Sequence, residues 1–200
     1  QLYRNLRRWQ DILAVLRRYG LADWLSKLKF DFIRDWIKDD QGVPLASFSR
    51  EKRIRLALTE LGPTFIKLGQ VLSQRPDLIG PDLAAELTSL QSELPADPPE
   101  DIRKLIEKEL GKPVEELFAE FDGMAIASAS IGQVHRARLH DGSHVVVKVQ
   151  HPNIQNIVRE DMEVLAGLAT LATHIPEIEV WKPTVLVEQL SKSLKRELNF

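Results

Sequence analysis

Apolar positions recur at three- and four-residue steps through residues 1 to about 40: Leu6, Trp9, Leu13, Leu16 and Tyr19, then Trp24, Leu28, Phe32 and Trp36. That spacing is the period of one helical face, and Gly20 is placed to end the first helix. Gln41-Gly42-Val43-Pro44 reads as a turn or short linker. Beyond it, Ser49 can cap a helix running through Leu61, with Ile54, Leu58 and Leu61 on one face. Gly62-Pro63 punctuates that helix, and Pro63 suits the first turn of the next, which carries Phe65, Ile66, Leu68, Val71 and Leu72. This helix should fade at Arg75-Pro76-Asp77, and another should cover Pro81–Gln91. The proline-rich stretch from Leu94 to Pro99 is expected as an extended connection, followed by short helices over 100–110 and 113–121.

The period then changes. Met124–Ser130, Gly132–Leu139 and His144–Gln150 read as three strands, and Asp141-Gly142 between the last two is a hairpin signal. Helix returns over 153–173, and a last helix begins near Thr184 after an irregular segment. The expected divisions are an amphipathic helical segment (1–45), a helical extension (46–112) and a mixed α+β region (113–200).

Composition narrows the function classes. A 44% hydrophobic content, 28% charged residues and a formal net charge of −2 describe an ordinary globular chain and give no basic excess for nucleic acid. The absence of cysteine excludes disulfides, thiolate metal sites and cysteine nucleophiles, and fits a reducing compartment. The longest apolar run, Val164–Ala172, is about half of a bilayer span and contains Gly167. The first eighteen residues hold Arg4, Arg7, Arg8, Arg17 and Arg18 against Asp11 alone. Such a helix either docks its apolar stripe on the fold or lies on an anionic membrane surface. Docking is the commoner use, and it leaves the arginines in solvent. His140 and His144 flank a hairpin rather than sharing a helix face, so no metal site is expected. The chain opens on Gln and ends at Phe200 inside a helical pattern, so a fragment of a longer protein is expected.

The chemistry concentrates in one strand–turn–strand–hairpin–strand run. Ala127-Ser128-Ala129-Ser130-Ile131-Gly132-Gln133-Val134 supplies small residues that let a backbone approach phosphates, and Val145-Val146-Val147-Lys148 places a lysine across the sheet from it. A solvent-facing lysine on an alternating strand is the plainer alternative. Val147-Lys148 and its two preceding valines are similar to the V-A-I-K strand of protein kinases. The run 127–135 resembles the alanine-rich loop that replaces the kinase glycine-rich loop in the UbiB (AarF-type) family of atypical kinase-like proteins. Residues 61–70, L-G-P-T-F-I-K-L-G-Q, match that family's K-x-G-Q helix at Lys67, Gly69 and Gln70, and Asp77 belongs to the R-P-D-L segment that follows. Lys67 and Gln70 are three apart and project from one helical face. Gly69 costs roughly 1 kcal/mol of helix propensity, and a close backbone approach is the motive for it. Glu197-Leu198-Asn199 resembles the family's E-x-D motif, with Asn199 where aspartate is usual, so that position offers no charge.

The resemblance implies a kinase-like small lobe joined to a helical extension that carries K-x-G-Q, with the large lobe absent. It implies ATP or ADP as ligand, held by residues 127–133 (Ala127, Ser128, Ala129, Ser130, Ile131, Gly132 and Gln133) and by Lys148. Lys67 and Gln70 would gate the pocket, and Glu197 or Glu188 would pair with Lys148. Mg²⁺ ligands, with the H-R-D-like and D-F-G-like loops that this chain lacks, are expected beyond Phe200. The family further implies ubiquinone or isoprenoid-lipid metabolism, with a quinone or lipid, a membrane surface and a biosynthetic protein complex as partners. The full-length protein would be cytoplasmic, peripheral to or anchored at the inner membrane. A pseudokinase scaffold and a true protein or small-molecule kinase are the competing readings, the latter disfavoured by the helix bearing Lys67.

Overall fold

A computed structural model of the chain describes residues 6–21, 47–90, 95–173 and 182–199. These residues form two compact units, Gln1–Gln91 with Val158–Lys195 and Ser92–Ile157 with Arg196–Phe200. The expected helix through Trp24–Trp36, the turn at Gln41–Pro44 and the irregular segment 174–181 lie outside the described residues.

The first unit is helical. Helix α1 (Leu6–Arg18) is followed by α2 (Arg50–Leu61), α3 (Pro63–Ser73), α4 (Pro76–Ile79) and α5 (Pro81–Leu87). Ser49 caps α2 as its chemistry predicts, its Oγ accepting from Lys52 N at 3.1 Å. Helix α3 ends at Ser73, just ahead of Arg75-Pro76-Asp77 as expected, and a separate short helix, α4, starts at Pro76, which fits the first position of a new turn. Most of α8 (Ile154–Ala172) and of α9 (Pro183–Leu198) also belongs to this unit. The core comprises Ile12 and Val15 of α1, Ala57 and Leu61 of α2, Phe65 and Ile66 of α3, and Leu190 and Leu194 of α9. Helix α1 therefore docks, but through Ile12 and Val15, while Trp9, Leu13, Leu16 and Tyr19 of the expected stripe are only partly buried. Its arginines are not all solvated, however. Arg8 Nε donates to Asp161 Oδ1 at 2.6 Å and Arg8 Nη2 to the Leu61 carbonyl at 2.7 Å, with the Asp161 side chain wholly buried.

The second unit is α+β. Helices α6 (Pro99–Leu110) and α7 (Val114–Leu117) precede β1 (Glu120–Phe121), β2 (Ala127–Ser128), β3 (Gly132–Arg138) and β4 (His144–Gln150). The helix expected over 113–121 is cut to four residues, since Phe118 turns extended and residues 120–121 pair with β3. The strand expected over 124–130 shrinks to Ala127–Ser128. Strands β1 and β2 pair with successive halves of β3, while β4 pairs with β3 along its whole length, from Gly132↔Gln150 to Arg138↔His144, all antiparallel. The hairpin signal holds: Gly142 sits at φ 91°, and Leu139 N donates to Ser143 O at 2.9 Å. Ile102, Ile106, Val114 and Phe118 pack on Ala137 and Val149 of the sheet, with Val145 and Val147 beside them. One sheet face is thus spent on core. No described helix is long and apolar enough to cross a membrane.

Candidate nucleotide-binding face

Strand pleating decides which side chains share the remaining face. Residues two apart on a strand point the same way, and directly paired residues of neighbouring strands share a face. Val145, Val147 and Val149 belong to the core side, so Val146, Lys148 and Gln150 take the other, opposite Arg136, Val134 and Gly132. Lys148 is exposed there, and Val146 is 65% exposed. An unbroken valine run is therefore half core and half a separate surface, on which two apolar residues flank a lysine. The sequence reading named Val134 and Val146 within their runs but gave them no role. Their signal was present in the two-residue alternation around Lys148.

The small-residue turn closes one end of this face. Ala127 and Ser128 pair with Val134 and Gln133, and Ala129 N donates to Gly132 O at 2.8 Å. A Cβ on Gly132 would stand 2.5 Å from the Val149 carbonyl oxygen, so glycine there answers to the approach of β4. Ser130 and Ile131 are buried. Among the described residues their N–H groups donate to no backbone carbonyl.

The turn is held from behind. His151 N donates to Ile131 O at 3.0 Å, and its ring Nε2 lies 2.7 Å from Ala129 O. The ring Nδ1 lies 2.5 Å from Asp97 Oδ2. Asp97 N donates to Gln133 Oε1 at 2.7 Å, Gln133 Nε2 lies 2.8 Å from His135 Nε2, and His135 Nδ1 lies 2.9 Å from Asp122 O. Gln133 and His135 are fully buried, and the His135 ring stacks on Phe121 with centroids 5.2 Å apart. Gln133, expected as a ligand-facing loop residue, spends both ends of its amide inside this network.

The other expected residues fall in both units. Gln150 Nε2 donates to Leu198 O at 2.6 Å, which brings the turn carrying half-buried Glu197 to the strand of Lys148. Glu188 instead pairs with Lys192 at 2.7 Å, and that hydrogen bond holds its carboxyl below the usual glutamate range. Lys67 and Gln70 are half-buried on α3 of the helical unit, where Gln70 Nε2 lies 3.4 Å from Leu90 O. Gly69 does mark a close approach: a Cβ there would meet Leu90 Cδ1 at 2.2 Å and Leu58 Cδ1 at 3.0 Å. The same unit holds a cleft of about 430 Å³ lined by Arg75, Asp77, Leu78, Lys182, Val185, Leu186 and Gln189. Arg75 grips Asp77 at 2.8 Å and lowers its pKa. That cleft includes none of the expected site residues except Asp77. Among the described residues no three His, Asp or Glu side chains cluster to hold a metal ion.

Known proteins match this chain in sequence. The family model of the ABC1 atypical kinase-like domain matches residues 89–200. A curated protein named "Probable protein kinase UbiB" from Xylella fastidiosa (strain 9a5c) is 46% identical over 152 residues, covering 76% of this chain and 28% of that protein. Proteins of the same name from Pseudomonas aeruginosa are 40% identical over 205 residues (strain LESB58) and 45% over 204 (strain UCBPP-PA14). These alignments cover 97% and 96% of this chain and 38% of each relative. The chain thus spans roughly a quarter to two fifths of the length of these relatives. Among solved structures, the Rv3197–erythromycin complex from Mycobacterium tuberculosis is 32% identical, with a TM-score of 0.42, covering 66% of this chain and 35% of that one.

Proposed function

This chain belongs to the UbiB/AarF family of ABC1-type atypical kinase-like proteins, and from that premise we propose that it binds ATP or ADP on the face of β2, β3 and β4 that carries Lys148. The observation that carries this reading is the convergence of three features in one unit. An exposed lysine stands beside Val134 and Val146, and the adjoining turn is buried, with the Ser130 and Ile131 amides meeting no backbone carbonyl among the described residues.

Each feature has a chemical task. Val134 and Val146 offer an apolar platform to a base, whose flat surface gains from leaving water. Lys148 supplies a mobile point charge for phosphate oxygens, and the Ser130 and Ile131 N–H groups supply fixed dipoles. Ala127, Ser128 and Ala129 keep their Cβ atoms, so the turn is stiffer than one built of glycine. Glu197 is the acid we assign to Lys148, because the Gln150–Leu198 bond tethers its turn to that strand. Lys67 and Gln70 are assigned to gating the pocket on the family pattern. The bound nucleotide brings an activated phosphoryl group, and the ligands of its Mg²⁺ are not among the described residues, where no three His, Asp or Glu side chains cluster. The activity proposed for the full-length protein is ATPase-type, in support of ubiquinone or isoprenoid-lipid biosynthesis at a membrane.

The test is Mg²⁺-dependent ATP and ADP binding by the full-length protein with Lys148→Met alongside. Loss of a charged phosphate contact should weaken binding by at least tenfold, since such bonds contribute about 1.5–3 kcal/mol. A folded protein that binds no nucleotide, or binds it equally well without Lys148, overturns the reading in favour of a scaffold.

A further inference from the structure

We propose that the cleft between α4 and the first turns of α9 is a binding site for a small acyl carboxylate, an anionic head on an apolar body. The site lies wholly within the helical unit and is independent of the nucleotide reading above.

Helical periodicity builds one wall. Lys182, Val185, Leu186 and Gln189 recur at steps of three, one and three, the pattern of a single helix face. That face meets Arg75, Asp77 and Leu78 across a cleft of about 430 Å³, a volume in the range of small-molecule sites. Val185, Leu186 and Leu78 form its apolar part. Val185 remains 44% exposed there, apolar surface that a ligand's body would take out of water.

The charges decide which ligand fits. Two cations and one acid line the cleft, and the acid is already spent: Asp77 accepts from Arg75 Nε at 3.0 Å and from Nη2 at 2.8 Å. Arg75 Nη1 is left over from that pairing, and the side chains of Lys182 and Gln189 bond to none of the described residues. The first turn of α9 holds no acid, and Glu188 pairs with Lys192 instead. The lining therefore carries a local positive excess in a chain of net charge −2. An amine stands at one end, apolar side chains follow, and a neutral amide closes the other end about 10 Å along the helix. A carboxylate head suits Lys182 with Arg75 Nη1 beside it, because charge-assisted bonds are the strong ones. A cationic head would meet Lys182 as a like charge. A polyphosphate would find too few donors and an apolar floor.

Lys182 also holds this place at a cost to the backbone. Its φ of 48° is the left-handed conformation that glycine adopts freely and side-chain-bearing residues seldom do. The fold gains no side-chain bond in return among the described residues. Glycine would therefore serve the turn into α9 at least as well, which makes it the substitution that separates binding from folding.

The experiment follows the Val185 and Leu186 methyl signals of the full-length protein by NMR, with octanoate, octanol and octyltrimethylammonium as probes below their micellar range. Octanoate should shift these methyls and bind about fivefold more tightly than octanol, the effect of one exposed charge contact. Octyltrimethylammonium should bind more weakly than octanol. Lys182→Gly should bring octanoate down to the octanol affinity and leave octanol itself unchanged. The same variant should melt no lower than wild type, so that lost binding is not lost folding. Val185→Asp, a change on exposed helix surface, should remove octanoate binding by placing a like charge beside the head group. Equal affinity for the three head groups overturns the proposal, as does octanoate binding unmoved by Lys182→Gly. Methyls of a folded protein that ignore octanoate overturn it too, and if they respond to phosphatidylglycerol vesicles instead, the cleft is a contact for a lipid surface. None of these outcomes involves Lys148, so the nucleotide reading is tested separately.

Discussion

The two units put their buried polar groups to different uses. In the helical unit, Arg8 and Asp161 form an ion pair from elements 153 residues apart, and it serves packing: Arg8 also covers the Leu61 carbonyl and lies 5.7 Å from the Phe65 ring centre. In the sheet unit, the Asp122–His135–Gln133–Asp97–His151 chain ends on a turn rather than in a core. The first arrangement fixes helices to each other. The second holds the Ala129 and Ile131 carbonyls of the small-residue turn. Buried polar groups arranged around a loop are thus better evidence for a site than buried polar groups arranged around a core.

The comparison is broken most forcefully at Arg8. Arg8→Met should destabilise the protein by about 3 kcal/mol, since it strands a buried carboxylate and a helix-end carbonyl together. Urea denaturation checks it, and an effect under about 1 kcal/mol would mean the pair is ornamental. The next largest effect belongs to the sheet. In Gly132→Ala the new methyl would meet backbone, the Val149 carbonyl at 2.5 Å, which cannot rotate aside. A loss of about 2 kcal/mol is expected, and the same melting experiment reads it. Gly69→Ala is the matched case in the helical unit. Its obstruction is the tip of the flexible Leu90 side chain at 2.2 Å, and the helix gains roughly 1 kcal/mol of propensity. The net loss should be about 1 kcal/mol or less. If Gly69→Ala proves as damaging as Gly132→Ala, the helical unit is the more rigid of the two.

What could be read in the sequence follows the range of the interactions. The β3–β4 hairpin, the Ser49 cap and the tightness at Gly69 are local patterns, and local periodicity or turn chemistry finds them. The family resemblance pointed to Lys148 and the turn 127–133 by motif. Strand β1 escaped because two residues carry no period and exist as strand only by pairing with β3. Asp97 and His151 escaped for the same reason at longer range. They are 54 residues apart, and neither sits in a pattern until the fold joins them. Glu188 and Glu197 looked equivalent as helical acids, and only the contacts to Lys192 and to the Gln150 strand separate them.

The smallest effect tests whether charge matters at all inside the helical pair. Burial raises the Asp161 carboxyl above the ordinary value of 3.8, with Arg8 and the Thr64 hydroxyl opposing it. Desolvation therefore wins, and the ionised pair is a poor bargain for the fold. Asp161→Asn keeps an oxygen acceptor for Arg8 and removes the buried negative charge, so stability at neutral pH should change by about 1 kcal/mol or less. The sign of the pH dependence distinguishes the cases. Because the folded state holds the Asp161 proton more tightly than the unfolded chain, this group's contribution is greatest in acid. It declines as pH rises from the ordinary aspartate value to the raised one, and is flat beyond. The Asn variant should lack that component when denaturation curves are compared across the acidic range. A variant whose stability instead falls by several kcal/mol at neutral pH would show that the charge holds α1 in place, and that the helical unit relies on electrostatics as much as the sheet unit does.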